Sequence, residues 1–158
     1  MATKTTVLIG SSLAKEACLG DDAKLRRYIF LRSLHEVNND HVKNRLKEEM
    51  KSKIVERTDT ITIAAFGNTF YGPNHENIQK PGQLQVDALV PNLFWLIKTI
   101  LEIASENQVV IKSINLLSPT PRRVQLGQFR NQLFYIEYLM TQITEYTKVK
   151  IDNDCLQI

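Results

Sequence analysis

The feature that most constrains this chain is the stretch Thr58–Thr69, TDTITIAAFGNT, and the segment that leads into it. In that segment Val42, Leu46, Met50 and Ile54 recur at every fourth position. They therefore share one stripe of a helix, with lysines, arginines and glutamates around the rest of its circumference. Asn38-Asn39-Asp40 marks the start, because such side chains satisfy the orphan amides of a first helical turn. After Glu56 and Arg57 the chain becomes β-branched through Ile61 and Ile63 and stops at Phe66-Gly67-Asn68-Thr69. A helix lying on a sheet, followed by a buried strand that delivers Asn68 to its carboxyl end, accounts for both halves.

The same alternation runs through the chain. Thr5–Ile9 reads as a first strand, closed by Gly10-Ser11-Ser12, and Leu13–Leu19 as a short helix that a serine hydroxyl would cap. Arg27–Leu34 is the second strand. A loop from Phe70 to Gly82 contains His75. The next helix begins near Val90, since Pro91 fits a first turn better than an interior, and carries Leu93, Ile97, Ile100 and Ala104 on one face. Val109–Leu117 is the fourth strand, which Pro119 and Pro121 end by removing ladder donors. Gln128–Tyr146 is helical, and Thr147–Ile151 is predicted as a fifth strand.

Strands separated by helices imply right-handed crossovers, hence an α/β fold: a three-layer, flavodoxin-like, five-stranded and mostly parallel sheet with helices on both faces. At 158 residues the whole chain, 1–158, reads as one domain. No uninterrupted apolar run reaches the ~18 residues of a bilayer span, and no signal-peptide pattern opens the chain, so an intracellular, cytoplasmic protein without a membrane partner is expected. Cys18 and Cys155 stand far apart without a CxxC spacing, so neither a metal nor another cofactor is expected.

In such sheets ligands bind beyond the carboxyl ends of the strands, where the winding reverses. That rule brings Ser12, Asn68, Arg122 and Arg123 to one crevice, with Arg130 further along the next helix and His75 overhanging it. Lys24, Arg26, Arg27 and Arg32 form a second basic cluster. Guanidinium groups clamp phosphates, and Tyr28, Phe30 and Tyr71 offer stacking faces, so RNA or another phosphate-bearing ligand fits these residues. The net charge of +3 permits such a partner without requiring one. Ser12 has a second use as a helix cap, and the basic residues a second use as a solvated surface.

These residues resemble the SGNH (GDSL-type) hydrolases, a flavodoxin-like family of esterases and lipases. The family's Gly-Asp-Ser block is matched by Gly10-Ser11-Ser12, which places Ser12 at the nucleophile position and Ser11 where the aspartate stands. Its Gly-x-Asn-Asp block falls on Phe66-Gly67-Asn68-Thr69, which retains the oxyanion asparagine as Asn68. Phe66 and Thr69 replace the glycine and the final aspartate. Residues 33–38, Ser-Leu-His-Glu-Val-Asn, lack the family's oxyanion glycine, and no histidine follows Asp152 or Asp154 in the manner of Asp-x-x-His. The resemblance extends to members of the fold that have lost their catalytic residues and are associated with RNA. It implies a degenerate domain that binds RNA or another phosphate-bearing partner. The alternatives are an esterase using Ser12, Asn68 and His75, and a protein-interaction or homodimerising scaffold.

Overall fold

A computed structural model describes residues 5–12, 15, 27–71, 86–119 and 126–153. Its centre is a parallel sheet of β1 (Thr5–Gly10), β2 (Tyr28–Phe30), β3 (Thr58–Ala64) and β4 (Ser113–Leu116), in the order β2-β1-β3-β4. The winding reverses between β1 and β3, which pair from Thr6 opposite Thr60 to Gly10 opposite Ala64. Strand alternation sorts the two faces. Val7, Ile9, Ile29, Ile61 and Ile63 are fully buried on one face, while Leu8 and Ala64 are buried on the other, outside that core.

The first face is covered by α1 (Asp40–Lys53), α3 (Val86–Glu106) and α4 (Leu126–Asn153). Leu46 and Met50 of α1, Leu89, Leu93, Leu96, Ile97 and Ile100 of α3, and Ile136, Leu139 and Ile143 of α4 join the strand side chains in one cluster. A short α2 (Gly67–Tyr71) follows β3. The helix layer expected on the opposite face depends on residues 13–26, of which only residue 15 belongs to the described set.

Asn39 caps α1 by accepting from the amides of His41 and Val42, as the Asn-Asn-Asp signal anticipates. The second strand is shorter than the predicted Arg27–Leu34. Ser33 is extended and accepts from the amide of His35, which starts a 3₁₀ turn at Leu34–Asn38 and ends sheet pairing. Ser-x-x-Glu at 33–36 is a start signal for such a turn.

Helix α3 is already helical at Val86, ahead of the expected start near Val90, and Pro91 lies inside it. An interior proline costs about 3 kcal/mol. Here Pro91 is solvent-exposed, while burial of Leu89, Val90, Leu93 and Phe94 around it holds the helix together. The segment Ala88–Glu106 has the length and apolar composition of a bilayer span, but 61% of it is buried within the fold.

The fifth strand is overturned. Thr147–Ile151 forms part of α4, which runs unbroken from Leu126 to Asn153. The β-branched character of Val149 and Ile151 yields to the helical stripe: Ile143, Thr147 and Ile151 are all buried at four-residue spacing, and Val149 is 56% exposed. Among the described residues β4 therefore pairs only with β3.

Candidate functional site

The carboxyl ends of the strands converge, and close packing between backbones makes this possible. A Cβ on Gly10 would lie 2.6 Å from the Ala64 carbonyl oxygen, so only glycine fits where β1 leaves the sheet. The Gly10 carbonyl accepts from the Leu31 amide at 2.9 Å and from the Tyr28 hydroxyl at 2.7 Å. On the other side of β3, a Cβ on Gly67 would lie 4.0 Å from that of Pro119, so the ends of β3 and β4 also meet.

Beyond Gly10 the chain enters a helical turn, with the Lys15 amide donating to the Ser11 carbonyl at 3.0 Å. Ser12 stands exposed in the first turn. Among the described residues no hydrogen bond joins its hydroxyl to a histidine. His35 lies exposed in the 3₁₀ turn and His41 exposed at the start of α1. Asn68 is the second residue of α2, at the predicted carboxyl end of β3. Its side chain is outside the described set, as are His75, Lys24, Arg26, Arg122 and Arg123 and the side chain of Arg130, whose backbone belongs to α4.

A polar network that sequence reasoning missed joins the 3₁₀ turn after β2 to α2, the short helix after β3. The buried Thr69 hydroxyl donates to the Ala65 carbonyl at 2.7 Å and accepts from the Leu34 amide at 3.0 Å. With its one proton so used, it accepts from the Ser33 hydroxyl 3.0 Å away, and the Ser33 oxygen in turn accepts from the His35 amide at 3.2 Å. The side-chain amide of buried Asn92 in α3 donates to the Leu34 carbonyl at 2.9 Å. Ser-x-x-Glu at 33–36 announced the turn, but nothing local announces Thr69, 36 positions from Ser33.

Arg27 sits at the opposite end of the sheet from Ser12. Its guanidinium donates to the carbonyls of Lys53 and Glu56 and to the Thr58 hydroxyl, closing the carboxyl end of α1 against the start of β3. The Asn107 side-chain amide donates to the carbonyls of Lys51 and Ile54 at the same corner. These contacts give Arg27 a structural task.

Cations do lie over aromatic rings elsewhere. The ammonium groups of Lys43 and Lys47 are 5.4 and 5.8 Å from the Trp95 ring centre, and the Arg45 guanidinium is 5.8 Å from that of Phe30, which is 42% exposed. Lys15 stands over Tyr28. Burial raises the Tyr28 pKa, and the Glu49 carboxylate adds to the rise against the opposing pull of Arg45. Among the described residues no three His, Cys, Asp or Glu side chains are grouped to hold a metal ion. Compared with family models, curated proteins and solved structures, the chain matches none.

Proposed function

We propose that this chain is a catalytically degenerate SGNH-like domain on a three-layer, flavodoxin-like scaffold, acting as a binding module whose favoured ligand is RNA or another phosphate-bearing partner. The observation that carries the reading is the state of the amides after β2. Where the resemblance calls for an oxyanion-binding backbone, the Leu34 and His35 amides are bonded to the Thr69 and Ser33 hydroxyls. An oxyanion hole requires donors aimed at empty space where charge will develop, and these donors are directed inward. The nucleophile position, Ser12, also has no histidine bonded to it among the described residues, and an unactivated serine hydroxyl is a poor nucleophile.

The ligand class is supported by Lys43, Lys47 and Trp95 and by Arg45 and Phe30, which set positive charge beside an aromatic face. Single-stranded RNA is held by that combination of stacking and charge. Fluorescence anisotropy with a labelled 15-nucleotide single-stranded RNA tests it. Binding is expected to weaken steeply between 50 and 200 mM salt, and to fall in Lys43→Ala/Lys47→Ala, Trp95→Ala and Arg122→Ala/Arg123→Ala. Saturable turnover of p-nitrophenyl butyrate that disappears in Ser12→Ala would replace this reading with the esterase one. A protein-partner reading is favoured by the exposed Phe134, Tyr138, Tyr146 and Val149 on α4. Sedimentation of the full chain and its Phe134→Ser/Tyr138→Ser variant distinguishes self-association.

A further inference from the structure

Helix α4 packs on the rest of the fold through Ile136, Leu139, Ile143, Thr147 and Ile151, all buried. At about 100° per residue, Phe134, Tyr138, Glu145 and Val149 fall on the opposite side within about 60° of arc. A helix that covers a core ordinarily turns a polar face to water, yet on this outer stripe Phe134 is 61% and Val149 56% exposed. The Phe134 ring stacks on that of Tyr138 with centres 6.4 Å apart, and the Tyr138 hydroxyl accepts from the Gln142 side-chain amide at 2.9 Å. Glu137 and Lys148 lie on one and the same flank of the stripe, both exposed, and among the described residues neither is in an ion pair.

We propose that this face of α4 joins two copies of the chain, packed antiparallel about a two-fold axis that crosses the helices between Thr141 and Gln142. The inference rests on the self-association reading of α4 and adds to it the partner's surface and direction; it is independent of RNA binding. Such an axis reverses the direction of the second helix and sets each flank against the same flank of the other copy, as an isologous contact requires. Phe134 then lies opposite Val149 of the second copy, and Tyr138 opposite its Glu145. The Tyr138 hydroxyl, which accepts from Gln142, has its own proton to donate to that carboxylate. Glu137 comes within about 3 Å, measured along the helices, of Lys148 of the second copy, since each residue rises about 1.5 Å. That ammonium also offsets Glu145, one turn away on its own helix. The symmetry makes each of these contacts twice. A parallel pair would instead set Glu137 beside Glu137 and Lys148 beside Lys148, and flanking charges of this kind decide the direction of paired helices.

Sedimentation equilibrium of the full chain in reducing buffer tests the inference. A monomer–dimer equilibrium is expected in the micromolar range. Glu137→Lys and Lys148→Glu each set like charges together at both symmetry-related contacts and are expected to raise the dimer dissociation constant about tenfold. An equimolar mixture of the two variants is expected to regain the parent affinity as a heterodimer, because both flanks then carry opposite charges; that rescue also shows that neither variant has lost its fold. A chain that stays monomeric at every concentration would overturn both this inference and the self-association reading. A dimer indifferent to either charge reversal, or a mixture that stays as weak as its components, would overturn the antiparallel packing while leaving self-association in place.

Discussion

Replacing Thr69 by valine keeps the shape of a fully buried side chain and removes only its oxygen. In the parent chain that oxygen serves the Ala65 carbonyl, the Leu34 amide and the Ser33 hydroxyl at 2.7, 3.0 and 3.0 Å. The Leu34 residue is fully buried and Ser33 is 7% exposed, so neither orphaned donor reaches water easily. Each buried donor left unpaired costs about 1–3 kcal/mol, and the serine hydroxyl recovers part of its share by rotating, so a loss of about 2–4 kcal/mol is expected. At roughly 2–4 °C per kcal/mol for a chain of this size, Tm falls by roughly 5–15 °C. Thr69→Ser keeps the oxygen and deletes one methyl, worth about 1 kcal/mol. Urea unfolding should therefore rank the proteins as parent, Thr69→Ser, Thr69→Val, with an unchanged slope against urea. Hydrogen exchange at the Leu34 amide should accelerate in the valine variant. A valine variant as stable as the serine one, or a Leu34 amide that keeps its protection, would refute the claim that Thr69 ties the 3₁₀ turn to β3.

Three further outcomes follow from single positions. Gly10→Ala forces a Cβ to within 2.6 Å of a backbone oxygen, and a loss of about 1–3 kcal/mol is expected from strain between paired strands, read from the urea midpoint. Tyr28 has its pKa raised from 10.0 by burial first and Glu49 second. The neutral phenol is the form favoured by folding, so its contribution is complete below the unfolded pKa and disappears as pH rises through the folded one; the stability advantage of the parent over Tyr28→Phe should shrink above about pH 10. Gln108, two residues beyond the end of α3, has φ at 57°, between bonds from its own amide to the Ser105 carbonyl and from the Val109 amide to the Ala104 carbonyl. Gln108→Gly relieves that left-handed conformation and should raise stability by about 0.5–1 kcal/mol, measured as a rise in Tm.

The elements legible in the sequence are those whose signals are local. The Asn39 cap located the start of α1 and the stripe of Val42, Leu46 and Met50 its body, although the helix ends at Lys53, ahead of the expected Glu56–Arg57, and the β-branched run at Thr58–Ala64 located β3. The convergence of Gly10, Gly67 and Pro119 followed from the parallel order alone. What misled was local preference where packing had the deciding vote. Thr147–Ile151 has strand-forming residues, but Thr147 and Ile151 continue the buried side of α4. Pro91 read as a helix start, but the buried residues on both sides of it carry the helix through. Arg27, placed by the sequence in a basic cluster, also closes the end of α1 with its guanidinium, a task set by groups at least 26 positions away that no local signal announces.

Sequence by itself therefore determined the α/β class and the parallel sheet, because hydrophobic period and caps are properties of neighbouring residues and the alternation of strands and helices implies crossovers. Tertiary structure alone decided that the Leu34 and His35 amides after β2 turn inward to Thr69 and Ser33, that the sheet has four described strands, and that α4 continues through the residues of the expected fifth. Hydrogen bonds across tens of residues and the competition between one residue's strand preference and a whole helix's buried stripe have no local signature. They are settled only when the chain has packed.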